Sequence, residues 1–178
     1  NFGIEKFEKE IGSGRRVGHW LTGNSLIRFD ILINILTYFQ LDYKDKIVYI
    51  RGKLGNGIKN PKLPFKFTSC QGVRIISGIL GDGGIPTKNL NPYYTNSDKS
   101  LIEGFIKDLR FVFGDLEFSS HNINKEKTIV TVLEFSPLLC NSLLKLGLKT
   151  GKKVETNQGI PKFVFDLEDD KKYSVISQ

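Results

Sequence analysis

Apolar positions recur with helical spacing three times in the first forty residues. In "GIEKFEKEI" the residues Ile4, Phe7 and Ile11 fall on one face, which predicts a short amphipathic helix. Gly12 and Gly14 interrupt it, and Ser13 is placed to cap the next helix. "GRRVGHWLTGN" predicts a short basic helix stopped by Gly23 and Asn24. In "IRFDILINILTYFQL" the recurrence of Phe29, Leu32, Ile33, Leu36 and Phe39 predicts a longer one. The pattern then changes. "KIVYIRGKL" from Lys46 has the β-branched and aromatic content of a strand, and "GNGIKNPKLP" (Gly55 to Pro64) reads as a turn or linker. That linker is the expected boundary between a helical region over 1–66 and a second domain over 67–178.

From Gln71 the alternation of elements is clearer. "GVRIISGIL" predicts a helix despite its β-branched residues, and "GGIPTKNLNPYYTNS" predicts two short strands around an Asn-Pro turn. "SDKSLIEGFIKDLRFVFG" is the strongest helical pattern in the chain. Ser97 is its expected N-cap and Gly114 its C-cap, with Leu101, Phe105, Leu109 and Val112 or Phe113 on one face. "DLEFSSHNINKEKTIVTVLEF" predicts a hairpin: a strand to about His121, a polar loop from Asn122 to Lys127, and a strand from Thr128 to Phe135. "SPLLCNSLLKLG" predicts a helix capped by Ser136, with Pro137 in its first turn and Gly147 at its end. "KTGKKVETNQG" reads as a basic loop, and "IPKFVFDLEDDKKYSVISQ" as a short apolar stretch followed by a charged one with no decided structure. The expected class is α+β.

Charge adds a partner class. The 178 residues hold 26 Lys and Arg against 19 Asp and Glu, a formal charge of +7, which favours a polyanion and nucleic acid ahead of a membrane surface. With that charge, the order helix, tight turn, short basic helix, closing helix is that of a helix-turn-helix. Arg15, Arg16 and His19 would then face DNA, while Val17, Trp20 and Leu21 pack inward. A three-helix cap with a solvated basic face fits the same pattern. Cys70 and Cys140 lie far apart in apolar surroundings, with no disulfide framework or Cys-x-x-Cys site, so a reducing intracellular compartment, cytoplasm or nucleoid, is expected. The longest nearly apolar run, Ile31 to Phe39, is too short to span a bilayer. There is no methionine, and a chain trimmed at its N-terminus or a processed initiator would each account for position 1.

The order from Gln71, with "SGILGDGG" (Ser77 to Gly84) at its head, resembles the LAGLIDADG homing endonuclease family. "YYTNSDKSLIEGFIKDLRFVFG" is similar to the family's strand, asparagine-aspartate cap and helix ending in Phe-Gly. "FSPLLCNSLLKLGLKTGKK" followed by "IPKF" is similar to its leucine-rich helix, Gly-Lys-Lys loop and Ile-Pro exit. The resemblance covers residues 71 to about 165. Upstream, "RRVGHWLTG" and "NPKLPFKF" resemble the DNA-binding leader of some archaeal-type members. The chain departs from the family in having Ile76-Ser77 where the motif favours alanine-glycine, with Gly78 one place later. It holds one copy of the motif. Active sites of the family form where two motif helices pack together, so one copy implies a homodimer or a missing second half. The tail "DDKKYSVISQ" stops about where a second motif helix would begin.

The resemblance implies an αββαββα domain whose antiparallel sheet binds DNA, preceded by the helix-turn-helix-like region. It implies hydrolysis of phosphodiesters on both strands with Mg²⁺ or another divalent cation such as Mn²⁺. Ser77, Gly78 and Gly81 would be the small residues of the helix crossing, and Gly83 and Gly84 would turn the chain sharply into the first strand. Asp82, at a helix C-terminus, would bind the cation with the Gly81 carbonyl as a second contributor. An Asp-Gly pair is also an ordinary turn in which the carboxylate bonds only backbone. Lys152 or Lys153 matches the family's basic residue that stabilises phosphate charge or polarises water, and a loop that merely touches phosphate would look the same. Candidate base readers are Lys88, Asn89, Asn91, Tyr93, Thr95, Ser119, His121, Asn124, Lys125 and Lys127, with Lys149 beside them. Each taken singly also suits a solvated surface. Double-strand DNA cleavage is the leading expectation. A non-cleaving DNA- or RNA-binding relative, regulatory or maturase-like, and an inactive half of a two-motif enzyme are the alternatives. A purely structural module would leave the charge and the Gly-Asp-Gly turn unexplained.

Overall fold

The structure, a computed structural model, describes residues 3–14, 16–42, 46–52, 57–125 and 128–176. The chain divides into two units, Asn1–Lys46 and Ile47–Gln178. The division falls ahead of the expected boundary at residue 66, for a physical reason. Strand β1 (Tyr49–Arg51) pairs with β2 (Gly57–Lys59), and β2 pairs with β5 (Asp115–Leu116) from deep inside the second unit. Ile58 is fully buried in that unit's core, so what reads as a linker is the middle strand of a three-stranded sheet.

The first unit holds α1 (Ile4–Ile11), α2 (Val17–Leu21) and α3 (Phe29–Tyr38). Ile11 and Ile31 are buried, and Phe7 meets Tyr38 and Phe39 edge-on or tilted. Ser13 does not cap α2. Its hydroxyl donates back to the Glu8 carbonyl, and the N–H of Val17 goes to the buried Glu8 carboxylate at 2.9 Å. The donor at the start of α2 is thus satisfied from nine residues upstream. Leu21 does not pack inward: it is 80% exposed.

The second unit is α+β with antiparallel sheets. From Cys70 to Lys145 its elements follow the expected order except for one added short strand, β5, which joins the three-stranded sheet. Helix α4 (Cys70–Gly81) is followed by β3 (Gly83–Gly84) and β4 (Tyr93–Asn96), then α5 (Lys99–Phe113), β5, β6 (Phe118–Lys125) and β7 (Thr128–Phe135). A 3-10 turn over Pro137–Leu139, capped by Ser136, leads into α6 (Cys140–Lys145). The expected basic loop contains a short helix, α7 (Lys153–Thr156), and the charged tail forms α8 (Asp169–Ile176), which packs against α4.

Helix α4 forms against local preference. Val73, Ile75, Ile76 and Ile79 cost the helix about 0.5 kcal/mol each in propensity, but all four are essentially fully buried. Burial of such side chains stabilises by about 1.5–3 kcal/mol each, so packing wins. Ser69 caps α4 by accepting from the Gly72 N–H. The cap of α5 is Asp98, not Ser97: its carboxylate accepts from the N–H of Ser100 at 2.7 Å. Ile102, Phe105, Leu109, Val112 and Phe113 of α5 are buried, whereas Leu101, expected among them, is exposed. Gly114 ends α5 with φ +100, and a Cβ there would collide with the Asn60 carbonyl.

The four-stranded sheet has the order β3-β4-β7-β6. The hairpin is longer than expected, because β6 stays paired through Lys125, which faces Thr128. A strand polar on both faces reads as a loop, and here β7 supplies the pairing.

Candidate functional site

Helix α4 ends where the chain passes tightly under β4. The N–H of Asp82 donates to the Gly78 carbonyl, and the Asp82 carbonyl accepts from both the N–H and the hydroxyl of Thr95, at 3.1 and 2.6 Å. Gly83 follows, and a Cβ there would overlap the Tyr93 carbonyl and the Ile79 backbone. Neither Gly83 nor Gly84 is among the positive-φ glycines. The glycine at 83 therefore serves a close backbone approach where the chain turns into the first strand, without left-handed backbone.

This anchoring presents the Asp82 side chain at the surface. Asn96 donates to its Oδ2 at 3.2 Å and also to the Tyr94 hydroxyl. Among the described residues Oδ1 has no hydrogen-bond partner. The carboxylate is thus not used up by backbone N–H groups, as in an ordinary Asp-Gly turn. Tyr94 is buried and stacks on Phe105 at 4.1 Å. Burial raises its phenol above the ordinary value, the Asn96 hydrogen bond opposes, and the charges of Asp82 and Asp98 add to the rise.

The two candidate lysines separate. Lys153 reaches back from α7, and its Nζ donates to the Gly81 carbonyl at 2.5 Å. Partial burial lowers its pKa, and the Asp82 charge opposes that shift. Lys152 instead pairs with Glu155 at 2.9 Å in solvent. Lys149 donates from its Nζ to the Thr156 and Asn157 carbonyls, and so ties α7 locally.

The three small residues expected at a helix crossing also separate. Gly78 faces the molecule's own core, where a Cβ would crowd Phe105 and Tyr94. Gly81 is exposed with open space around it, and Ser77 is half-buried, its hydroxyl turned back to the Val73 carbonyl. Cys70, Arg74, Ser77 and Gly81 make the less buried stripe of α4.

Register sorts the candidate readers. Tyr93, Glu134 and Ser119 stand in one row across the sheet, and Thr95, Val132 and His121 in the next row of the same face. Tyr93, Thr95, Ser119 and His121 therefore share a face beside Asp82. Asn124 pairs with Ile129 and belongs to the opposite face. Lys88, Asn89, Tyr93 and Lys152 line a shallow cleft with Thr87 and Gly151, while Asn91 donates its N–H to the Asn89 side chain. Arg16 and His19 are exposed on the first unit. Arg15 and Lys127 lie outside the described residues, as does the side chain of Lys125.

Sequence reasoning missed Asn96 and Glu134. Asn96 orients Asp82, and its signal was its place two residues ahead of a helix cap. Glu134 sits between Tyr93 and Ser119, and alternation along β7 would have found it.

The donor set at the end of α4 is one carboxylate and one carbonyl, both hard oxygens. Among the described residues no group of three or more His, Cys, Asp or Glu is placed to hold a metal. A Mg²⁺ ion held by these two oxygens would have to take its other ligands from water and substrate phosphate. Among the described residues no helix is long and apolar enough to cross a membrane. Compared with known proteins, the chain matches no family model and no curated protein.

Proposed function

We propose that the chain is a site-specific double-strand DNA endonuclease of LAGLIDADG type, or one half of such an enzyme. The observation that carries this reading is the end of α4. An exposed aspartate with a free carboxylate oxygen, a helix-terminal carbonyl and a lysine ammonium meet beside a sheet face bearing Tyr93, Thr95, Ser119 and His121. Asp82 and the Gly81 carbonyl would hold Mg²⁺ or Mn²⁺, which supplies an activated water and neutralises charge on the phosphate. Thr95 and Asn96 fix the aspartate, and Lys153 adds a positive charge for the phosphate. The sheet face would lie in the major groove, where Ser, His and Tyr donors meet base edges.

Helix α8 lies against α4. A second motif helix approaching there, whether from another copy or from a second half, would have to pass beside α8 or displace it. A non-cleaving DNA- or RNA-binding relative is the second reading, favoured by the single carboxylate at the site. Selection from a randomised duplex library in Ca²⁺ tests the common part. An enriched sequence is expected, and no enrichment even at low salt would reject the endonuclease and the DNA-binding relative, leaving only the RNA-binding one. A partly palindromic site would favour a homodimer over a missing second half.

A further inference from the structure

The Gly81 carbonyl, one of the two oxygens that would hold the cation, is already occupied by Lys153. That carbonyl is among the last of α4, which have no intrahelical partner and carry the negative end of the helix dipole. Asp82 adds a full negative charge one residue later. An ammonium from α7, seventy-two residues on, is brought onto this oxygen. It is half-buried there, whereas the adjacent Lys152 turns to Glu155 in solvent.

The geometry points to Lys153 as a tethered counter-ion that occupies the α4 terminus in the cation-free protein and competes with a divalent cation for the Gly81 carbonyl. This rests on the reading that Asp82 and Gly81 hold the cation. A cation about 2 Å from the oxygen and an ammonium hydrogen-bonded to it would stand roughly 4 Å apart. Like charges at that distance repel appreciably even in water. The ammonium therefore leaves the carbonyl as the cation arrives, and is then free to meet a phosphate oxygen.

The test is Mn²⁺ binding to the full chain without DNA, followed by electron paramagnetic resonance. Lys153→Met is expected to bind Mn²⁺ about tenfold more tightly than the parent, the order expected for removing one nearby unit charge. Lys153→Arg, which keeps the charge, and Lys107→Met, which removes an exposed charge elsewhere, are expected to bind as the parent does. If Lys153→Met does not fold, Lys153→Gln keeps a donor without the charge and takes its place. Equal or weaker Mn²⁺ binding by the neutral variant overturns the proposal, as does absence of binding by both parent and neutral variant. Asp82→Asn separates the two layers. If it abolishes binding while the neutral Lys153 variant changes nothing, only the counter-ion role fails. If Mn²⁺ binding survives Asp82→Asn, the cation site itself is elsewhere.

Discussion

Gly78, Gly81 and Gly83 lie within six positions and make different demands. A Cβ at Gly83 meets backbone that cannot yield, one at Gly78 meets the Phe105 ring, and one at Gly81 meets nothing. Gly83→Ala is therefore expected to cost about 1–3 kcal/mol in urea unfolding. Gly81→Ala should leave stability unchanged or raise it by up to about 1 kcal/mol. A cost at Gly81 equal to that at Gly83 would mean that another backbone packs there in solution. Asp98 carries a pH dependence. Its hydrogen bonds from Ser100 hold its carboxyl below the ordinary value in the folded chain. The stability it contributes is present above the ordinary carboxylate range and is lost as pH falls through the folded value. Asp98→Asn retains a cap but no titration, so the gap between it and the parent should close in acid, read by thermal melts across pH.

At the scale of elements, α4 is tied to α5 by a fork of two hydrogen bonds. Arg74 donates to both oxygens of the largely buried Asp108, at 2.6 and 2.7 Å. Hydrogen bonds to charged groups contribute about 1.5–3 kcal/mol, so Asp108→Ala should cost about 2 kcal/mol in urea unfolding. A loss below about 0.5 kcal/mol would contradict that role for the pair. The elements legible in the sequence were those whose stabilising pattern is local. The α5 helix shows period and caps together, and β7 alternates in a run of β-branched residues. The elements misread depend on partners outside their own stretch. β2 needs β5, the far half of β6 needs β7, and the start of α2 needs a carboxylate from α1. The site divided in the same way. Asp82 and its glycines stood out in one stretch, whereas the separation of Lys153 from Lys152 depends on where α7 lies, and the role of Asn96 on the end of β4.

For the whole molecule, the formal charge of +7 and the basic residues around the α4 terminus predict duplex binding through phosphates. Affinity should fall at least about hundredfold between about 50 and 200 mM salt. A flat salt response would exclude phosphate contact as the source of affinity. The proposed function stands or falls with a metal-dependent cut served by Asp82. Cleavage of the selected duplex in Mg²⁺ by the parent and by Asp82→Asn measures this. New ends on both strands are expected, requiring Mg²⁺ and vanishing with Asp82→Asn while binding persists. Binding with no new ends in Mg²⁺, or ends unchanged by Asp82→Asn, would contradict it.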